Sequence, residues 1–445
     1  MGGPLQRLRN SARYFYRVPW CVPAWGRREF LHTARSILTG RTARGPQVRE
    51  AAESIREYLG VAHALPVNRG RTGIELGLRA MGLGAGDDVV LPSYVCRSVL
   101  DAVLSAGCAP VFADVGPDLN VTVESVEGAI TARTKCVIVP HLFGNVAPVD
   151  EIERLLEGTG VRLLDDAAQS FGARRKGRLV GTFGACGVVS CGPGKTLAGA
   201  AGGLLVTNDG ELYGRAAAIP LGEEGGDLVA RRALSFWTWR RFRRLTLPFK
   251  IVLEKFAGAE GEGPHENRTL SNLDAGIMLE QLRTLDKHLR ERRENAEAFL
   301  TSLGGLSEFS VSSLAPTDTL VKLILVLPEC GPTVEEAVEL LAQDGIECEA
   351  GYAPLHKDED KAGPALPVTE ALWARVLCLP LERGLKTKGR RLLLARKWDE
   401  LRSGARTAKD DDGGSPRPRA VGAGPGRDGF AREPAGTAAA GRGHE

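Results

Sequence analysis

A lysine and a carboxylate define the chemistry this sequence can do. Val161-Arg-Leu-Leu-Asp165-Asp166 is an apolar run closed by acids, and Gly187-Val-Val-Ser190-Cys191 is a second run, followed by Gly-Pro-Gly and Lys195. In α/β proteins, functional groups gather just beyond the carboxyl ends of parallel strands. An acid at one such end and a lone lysine at its neighbour suit pyridoxal phosphate. The amine forms a Schiff base with the aldehyde. The acid pairs with the protonated pyridine nitrogen and keeps the ring an electron sink. The plainer readings are a helix-capping Asp166 and a solvated Lys195. They leave the glycines around the amine unexplained.

Two look-alike motifs fail on spacing. Gly194-Lys195-Thr196 ends like a P-loop, but Val189 occupies the place of its first glycine. Gly82-Leu-Gly-Ala-Gly86 has the glycines of a dinucleotide fingerprint, yet it precedes a strand and reads as a turn.

Asp166-Ala-Ala-Gln169, with Ser190 five residues before Lys195, resembles the signature of the DegT/DnrJ/EryC1/StrS sugar aminotransferases, from about Gly45 to about Leu401. The resemblance implies an α/β, fold-type-I aminotransferase. Its large domain has a mixed, mostly parallel sheet flanked by helices, and a smaller α/β domain lies C-terminal to it. It also implies pyridoxal 5'-phosphate on Lys195, Asp166 at the ring nitrogen, Gln169 at the ring hydroxyl and Ser190 at the phosphate. The turn Asn68-Arg69-Gly70-Arg71-Thr72 matches the family's small-residue phosphate turn. Glycine admits close backbone approach there, and a helix start favours an anion; the Thr72 hydroxyl can donate as well.

The chain departs from the family at four places. Arg69 and Arg71 replace small residues; Arg71 either adds a bidentate phosphate contact or faces solvent. Cys96 stands where a ring usually stacks on the pyridine, so either its soft side chain covers that face or Tyr94 or another ring does. The loop Ala198–Gly203 is short and lacks its acid. Asn267 lies one place from the asparagine that reaches the phosphate bound by the other subunit, with Glu266 at the expected offset; carried over, it implies a homodimer.

These groups must be positioned by alternating strands and helices. Strand patterns cover Asp88–Cys96, Ala109–Asp114, Cys136–His141, the two central runs and Leu204–Asp209, with helical patterns at Val48–Leu59, from Thr72, at Val121–Ala132 and after Asp150. His141, at a strand end, reads as structural. Residues 1–44 form an aromatic, arginine-rich arm expected to pack on a partner subunit. Residues 45–265 form the cofactor domain, with an insertion at 222–265. There Leu234, Phe236, Trp237, Trp239 and Phe242 interleave with arginines until Pro248 breaks any single helix. Residues 266–302 read as a connecting helix. Residues 303–403 form the small domain, with a buried strand at Val321–Leu327, a helix at Val334–Leu341, and His356 either at the substrate entrance or structural. Residues 404–445, rich in Gly, Ala, Pro and Arg, read as a disordered tail.

Composition removes other classes. The chain has 445 residues and a net charge of +3, too small a surplus for a nucleic-acid footprint. Its nine cysteines and seven histidines are dispersed, with no metal spacing, and point to a reducing, cytoplasmic setting. No apolar run is long enough for a membrane span. The expected function is transfer of an amino group from an amino acid, glutamate by resemblance, to a nucleotide-linked keto-sugar in amino-sugar, polysaccharide or antibiotic biosynthesis. The alternatives are a dehydratase or lyase on the same fold, whose sugar-dehydrase members carry histidine where Lys195 stands, and a non-catalytic sensor or scaffold.

Overall fold

The computed structural model describes residues 25–241, 266–302, 310–311, 315, 317–329, 331–343, 346–357 and 365–381. The sequence readings for residues 1–24, for the insertion beyond Arg241, for the end of the small domain and for the 404–445 tail lie outside them.

The large domain is built on a seven-stranded sheet. Its strands are β1 (His63–Val67), β2 (Asp88–Pro92), β3 (Ala109–Ala113), β4 (Thr134–Pro140), β5 (Arg162–Asp166), β8 (Cys186–Ser190) and β9 (Gly203–Thr207), in the order β1-β9-β8-β5-β4-β2-β3. A small hairpin, β6 (Arg174–Arg175) and β7 (Arg178–Leu179), lies between β5 and β8 in the chain. Strands β3, β2, β4, β5 and β8 pair in parallel, and β9 pairs antiparallel with both β8 and β1. The sheet is therefore mixed and mostly parallel. β2 and β9 are buried at every position. Such continuous apolar strands occur where helices cover both faces of a sheet.

The two faces have separate cores. Leu76, Leu91, Ile138, Leu164 and Val188 lie in one cluster; Val90, Val137, Val139 and Leu163 lie in another. Neighbouring residues of one strand fall in different clusters because side chains alternate across a sheet. Helix Gly70–Ala80 packs on the first face through small residues. A Cβ on Gly77 would stand 3.1 Å from the Cys186 sulfur.

The small domain is a four-stranded antiparallel sheet of β10 (Ser310–Val311), β11 (Lys322–Val326), β12 (Glu349–Ala350) and β13 (Val376–Pro380), in the order β10-β11-β13-β12. Leu323, Leu325, Leu377 and Leu379 join the helix Val334–Gln343 in its own core. Ile324, Val326, Val376 and Cys378 instead join the large-domain core. Alternation along two strands thus welds the domains together. Asp114 adds a polar tie: its carboxylate accepts the backbone N–H groups of Val368 and Thr369, at 3.0 and 2.8 Å, and caps the helix Pro367–Leu372.

Three elements refine the sequence reading. The 266–302 segment is two helices, Asn272–Arg283 and Leu285–Ser302, divided at Thr284. Leu270, Ala275, Met278 and Leu285 belong to a large-domain core, whereas Ala296 and Leu300 join the small-domain core, so the segment connects the two. The described end of the N-terminal arm forms a helix, Arg27–Leu38, that packs on its own chain: Trp25 and Ile37 lie against Val229, Ala233, Leu273 and Ile277. The start of the insertion is the helix Gly226–Arg241, held by Arg232, whose guanidinium pairs with the carboxylates of Glu224 and Asp274.

Candidate active site

A cleft of about 310 Å³ opens beyond the carboxyl ends of β5 and β8, bordered by the starts of helices Gly70–Ala80 and Arg97–Ser105. This is where open α/β sheets bind ligands, and the volume lies at the small end of the ligand-pocket range of roughly 300–1,000 Å³. Gly70, Arg71, Cys96, Asp166, Gln169, Ser190 and Lys195 all line it. Thr72 and Asn267 do not. The Thr72 hydroxyl donates to Asn68 Oδ1 at 2.8 Å. Asn267 stands beside Gly222, whose N–H donates to its carbonyl at 2.9 Å.

Asp166 ends β5 and is buried, 5 % exposed. Its Oδ1 accepts the Ala168 N–H at 2.9 Å. Burial raises its carboxyl above the ordinary value, opposed by the Ala168 hydrogen bond and the charge of Lys195. Asp165 faces the other side of the strand. It holds His141 Nε2 at 2.7 Å and the backbone N–H groups of Gly181 and Phe183 at 2.6 and 3.0 Å. His141 Nδ1 accepts the Ala147 N–H at 3.0 Å, so the ring proton lies on Nε2 and His141 is a structural member of the strand rim.

Lys195 follows a turn closed by its own N–H on the Gly192 carbonyl at 3.2 Å, and Arg292 of helix Leu285–Ser302 contacts its carbonyl at 3.4 Å. The loop that follows contributes Ala200, Ala201 and Gly202 to the cleft. Trp25 secures it from outside, donating its indole N–H to the Ala198 carbonyl at 2.6 Å while its ring meets Phe236 edge-on at 5.0 Å.

Helix Gly70–Ala80 starts without a side-chain cap and points its first turn at the cleft. A Cβ on Gly70 would stand 3.1 Å from Ser190 Cβ, so only glycine brings this turn and that hydroxyl together without adjustment. An uncapped helix start beside a hydroxyl and Arg71 fits a phosphate. A buried acid facing a lysine fits a pyridinium ring with an aldehyde. The residues present therefore fit pyridoxal phosphate. Among the described residues the lining holds no aromatic ring; Val95, Cys96 and Val99 line it instead. Tyr94 is fully buried between Phe143 and Tyr352, and its hydroxyl accepts the Tyr352 N–H at 3.2 Å.

Gln169 has partners that sequence reasoning did not assign. Its Oε1 accepts the Phe143 N–H at 3.1 Å, and its Nε2 donates to the Tyr352 hydroxyl at 3.1 Å. Phe143 adopts φ +57, and its ring stacks on Tyr352 at 5.4 Å. His356 stays away from the cleft: its Nδ1 lies 2.6 Å from the Ser93 hydroxyl, at the seam between domains.

The sequence model of the DegT/DnrJ/EryC1/StrS aminotransferase family matches residues 26–392. The L-glutamine:2-deoxy-scyllo-inosose aminotransferase of Streptoalloteichus tenebrarius is 32% identical over 84% of this chain and 92% of its own. Among solved structures, DesI with its TDP-sugar product superposes with a TM-score of 0.69 at 25% identity, covering 91% of this chain and 100% of its own. A family aminotransferase from Brucella abortus gives 0.65 at 25% identity, covering 89% and 97%.

Proposed function

The chain belongs to the DegT/DnrJ/EryC1/StrS aminotransferase family, enzymes that use pyridoxal phosphate, and from that premise we propose that it transfers the amino group of an α-amino acid to the ketone of a polyhydroxylated six-membered ring. The observation that carries this reading is that Lys195 and Asp166, brought from two strand ends, line one cleft.

When bound, the cofactor supplies an aldehyde to carry the amino group and a ring to take up the electron pair of a broken C–H bond. Lys195 anchors it and, once released by the incoming amine, takes the proton from the donor's α-carbon on its Nζ and returns it as general acid. Asp166 keeps a proton on the ring nitrogen, because an adjacent negative charge favours the protonated form. The first turn of Gly70–Ala80, Arg71 and Ser190 hold the phosphate. Gln169 donates to the ring hydroxyl, and Cys96 covers the ring face. Asn267, turned away from its own cleft, serves the neighbouring subunit's phosphate in a homodimer.

For the acceptor, a nucleotide-linked keto-sugar with glutamate as donor is the first reading, and the TDP-sugar product bound by DesI supports it. A free keto-cyclitol with glutamine is the second, favoured by the relative that is 32% identical and acts on an inosose. The test is to load the purified protein with pyridoxal phosphate, follow its visible absorbance on adding glutamate or glutamine, and then offer keto-sugar nucleotides and a keto-inositol, reading amine formation by mass spectrometry. Donor-dependent bleaching followed by amination is expected. Turnover without donor consumption would move the chain to the dehydratase reading, and cofactor binding without any half-reaction would leave only a sensor.

A further inference from the structure

The geometry assigns Tyr352 a part in the active site: we infer that it is a positioning residue that aims Gln169 at the ring hydroxyl of the cofactor. The inference rests on the proposed contact between Gln169 and that hydroxyl.

A carboxamide has two acceptor positions on oxygen and two donor hydrogens on nitrogen. A backbone N–H can only donate, so the 3.1 Å contact from Phe143 fixes which end of the Gln169 amide is oxygen. The nitrogen end then lies toward Tyr352 and gives one hydrogen to its hydroxyl at 3.1 Å. One N–H remains for the cleft that Gln169 lines. Two partners on opposite ends of a planar group leave it little freedom to turn.

Tyr352 is itself held from three sides. Its ring stacks on Phe143 at 5.4 Å and meets Tyr94 edge-on at 5.8 Å, while its N–H donates to the Tyr94 hydroxyl at 3.2 Å. Burial keeps its own hydroxyl protonated far above the ordinary range. Tyr352 follows β12 in the small domain, whereas Gln169 and Phe143 belong to the large one. The seating of the small domain is therefore read out at a hydrogen-bond donor inside the cleft.

With the cofactor's aldehyde held by Lys195, the ring hydroxyl's oxygen would share a proton with the Lys195 nitrogen. A donor on that oxygen weakens its hold on the proton, so losing the donor raises the pH at which the proton leaves and the colour changes. The experiment titrates the visible absorbance of the cofactor-loaded wild type, Gln169→Leu, Tyr352→Phe and the double variant, with thermal unfolding alongside. Gln169→Leu is expected to raise the midpoint by about one pH unit, Tyr352→Phe by about half as much, and the double variant no further than Gln169→Leu alone. A midpoint unmoved by Gln169→Leu would sink the ring contact itself. A midpoint moved by Gln169→Leu and not by Tyr352→Phe would sink the positioning role, even if Tyr352→Phe lowers thermal stability. Additive shifts in the double variant would show that Tyr352 acts on the ring independently of Gln169, and would overturn the inference equally.

Discussion

Substituting Gly351 by alanine should open the seam between the domains. A Cβ at this position would lie 1.9 Å from the Tyr94 hydroxyl oxygen and 2.9 Å from both Cβ and Cγ1 of Val376. These contacts involve a fully buried ring and a strand side chain. Tyr94 must move, and overpacking of this kind costs about 1–3 kcal/mol. Its hydroxyl then leaves the Tyr352 N–H it accepts at 3.2 Å. That loss adds about 1–2 kcal/mol, more if the N–H stays buried without a partner. The sum, about 2–5 kcal/mol, is a large part of an ordinary protein's stability. Urea midpoints of Gly351→Ala, Tyr94→Phe and the double variant form the assay. Midpoints are compared directly, because a chain of two domains need not unfold in one step. Removing the hydroxyl makes room, so the alanine should cost less than half as much in the Tyr94→Phe background. A coupling of about 2 kcal/mol is expected between touching residues. A single variant within about 1 kcal/mol of the parent, or strictly additive effects, would refute the reasoning.

Four other outcomes follow from the structure. Lys195→Ala should leave the fold intact and abolish both visible cofactor absorbance and its bleaching by an amino donor, as read by spectrophotometry. Asp166→Asn should still bind cofactor but slow the half-reaction by roughly 10²–10³-fold, the cost of stripping a buried cation of its partner; single-turnover absorbance would measure it. Because burial raises the Asp166 carboxyl in the folded chain, the cofactor-free protein loses stability as pH rises from the unfolded value through the folded one. The asparagine variant should lack that dependence and be the more stable cofactor-free protein at neutral pH. At Asp150, burial is outweighed by hydrogen bonds and charge from Lys176 and Arg175, which hold its carboxyl at about 2, against an ordinary 3.8. Discounted for solvent screening, because Arg175 and Lys176 are partly exposed, that contributes about 1 kcal/mol above pH 4, lost as pH falls through about 2. Asp150→Asn should therefore be less stable than the parent at pH 7 and equal to it near pH 2, measured by thermal unfolding.

The local parts of this structure were legible because they follow from runs of neighbouring residues. The apolar stretches ending in Pro92, Ala113, Pro140, Asp166 and Ser190 became parallel strands, and the Asp166, Ser190 and Lys195 spacing pointed at the cleft they share. Asp165 and Asp166 could have been separated by strand alternation alone, which sends one to His141 and the other to the cleft. What stayed hidden depends on pairs far apart in the chain. His63–Val67 lacks a strong strand pattern and is a strand because β9 offers it an edge. Tyr352 meets Gln169 across 183 positions, and Trp25 meets Ala198 across 173. No periodicity encodes such meetings. The described end of the N-terminal arm seats Trp25 and Ile37 on Val229, Ala233, Leu273 and Ile277, an apolar surface that local sequence does not announce.

The indole of Trp25 fastens the backbone at Ala198, three residues beyond Lys195, from 173 positions earlier in the chain. A growing chain must hold that tryptophan in waiting until residues 226–241 and 272–283 have emerged to seat it. Loosening the helix Arg27–Leu38 should thus register first as weakened cofactor absorbance, before any loss of fold, so that a loaded sample's colour would gauge whether Trp25 has docked.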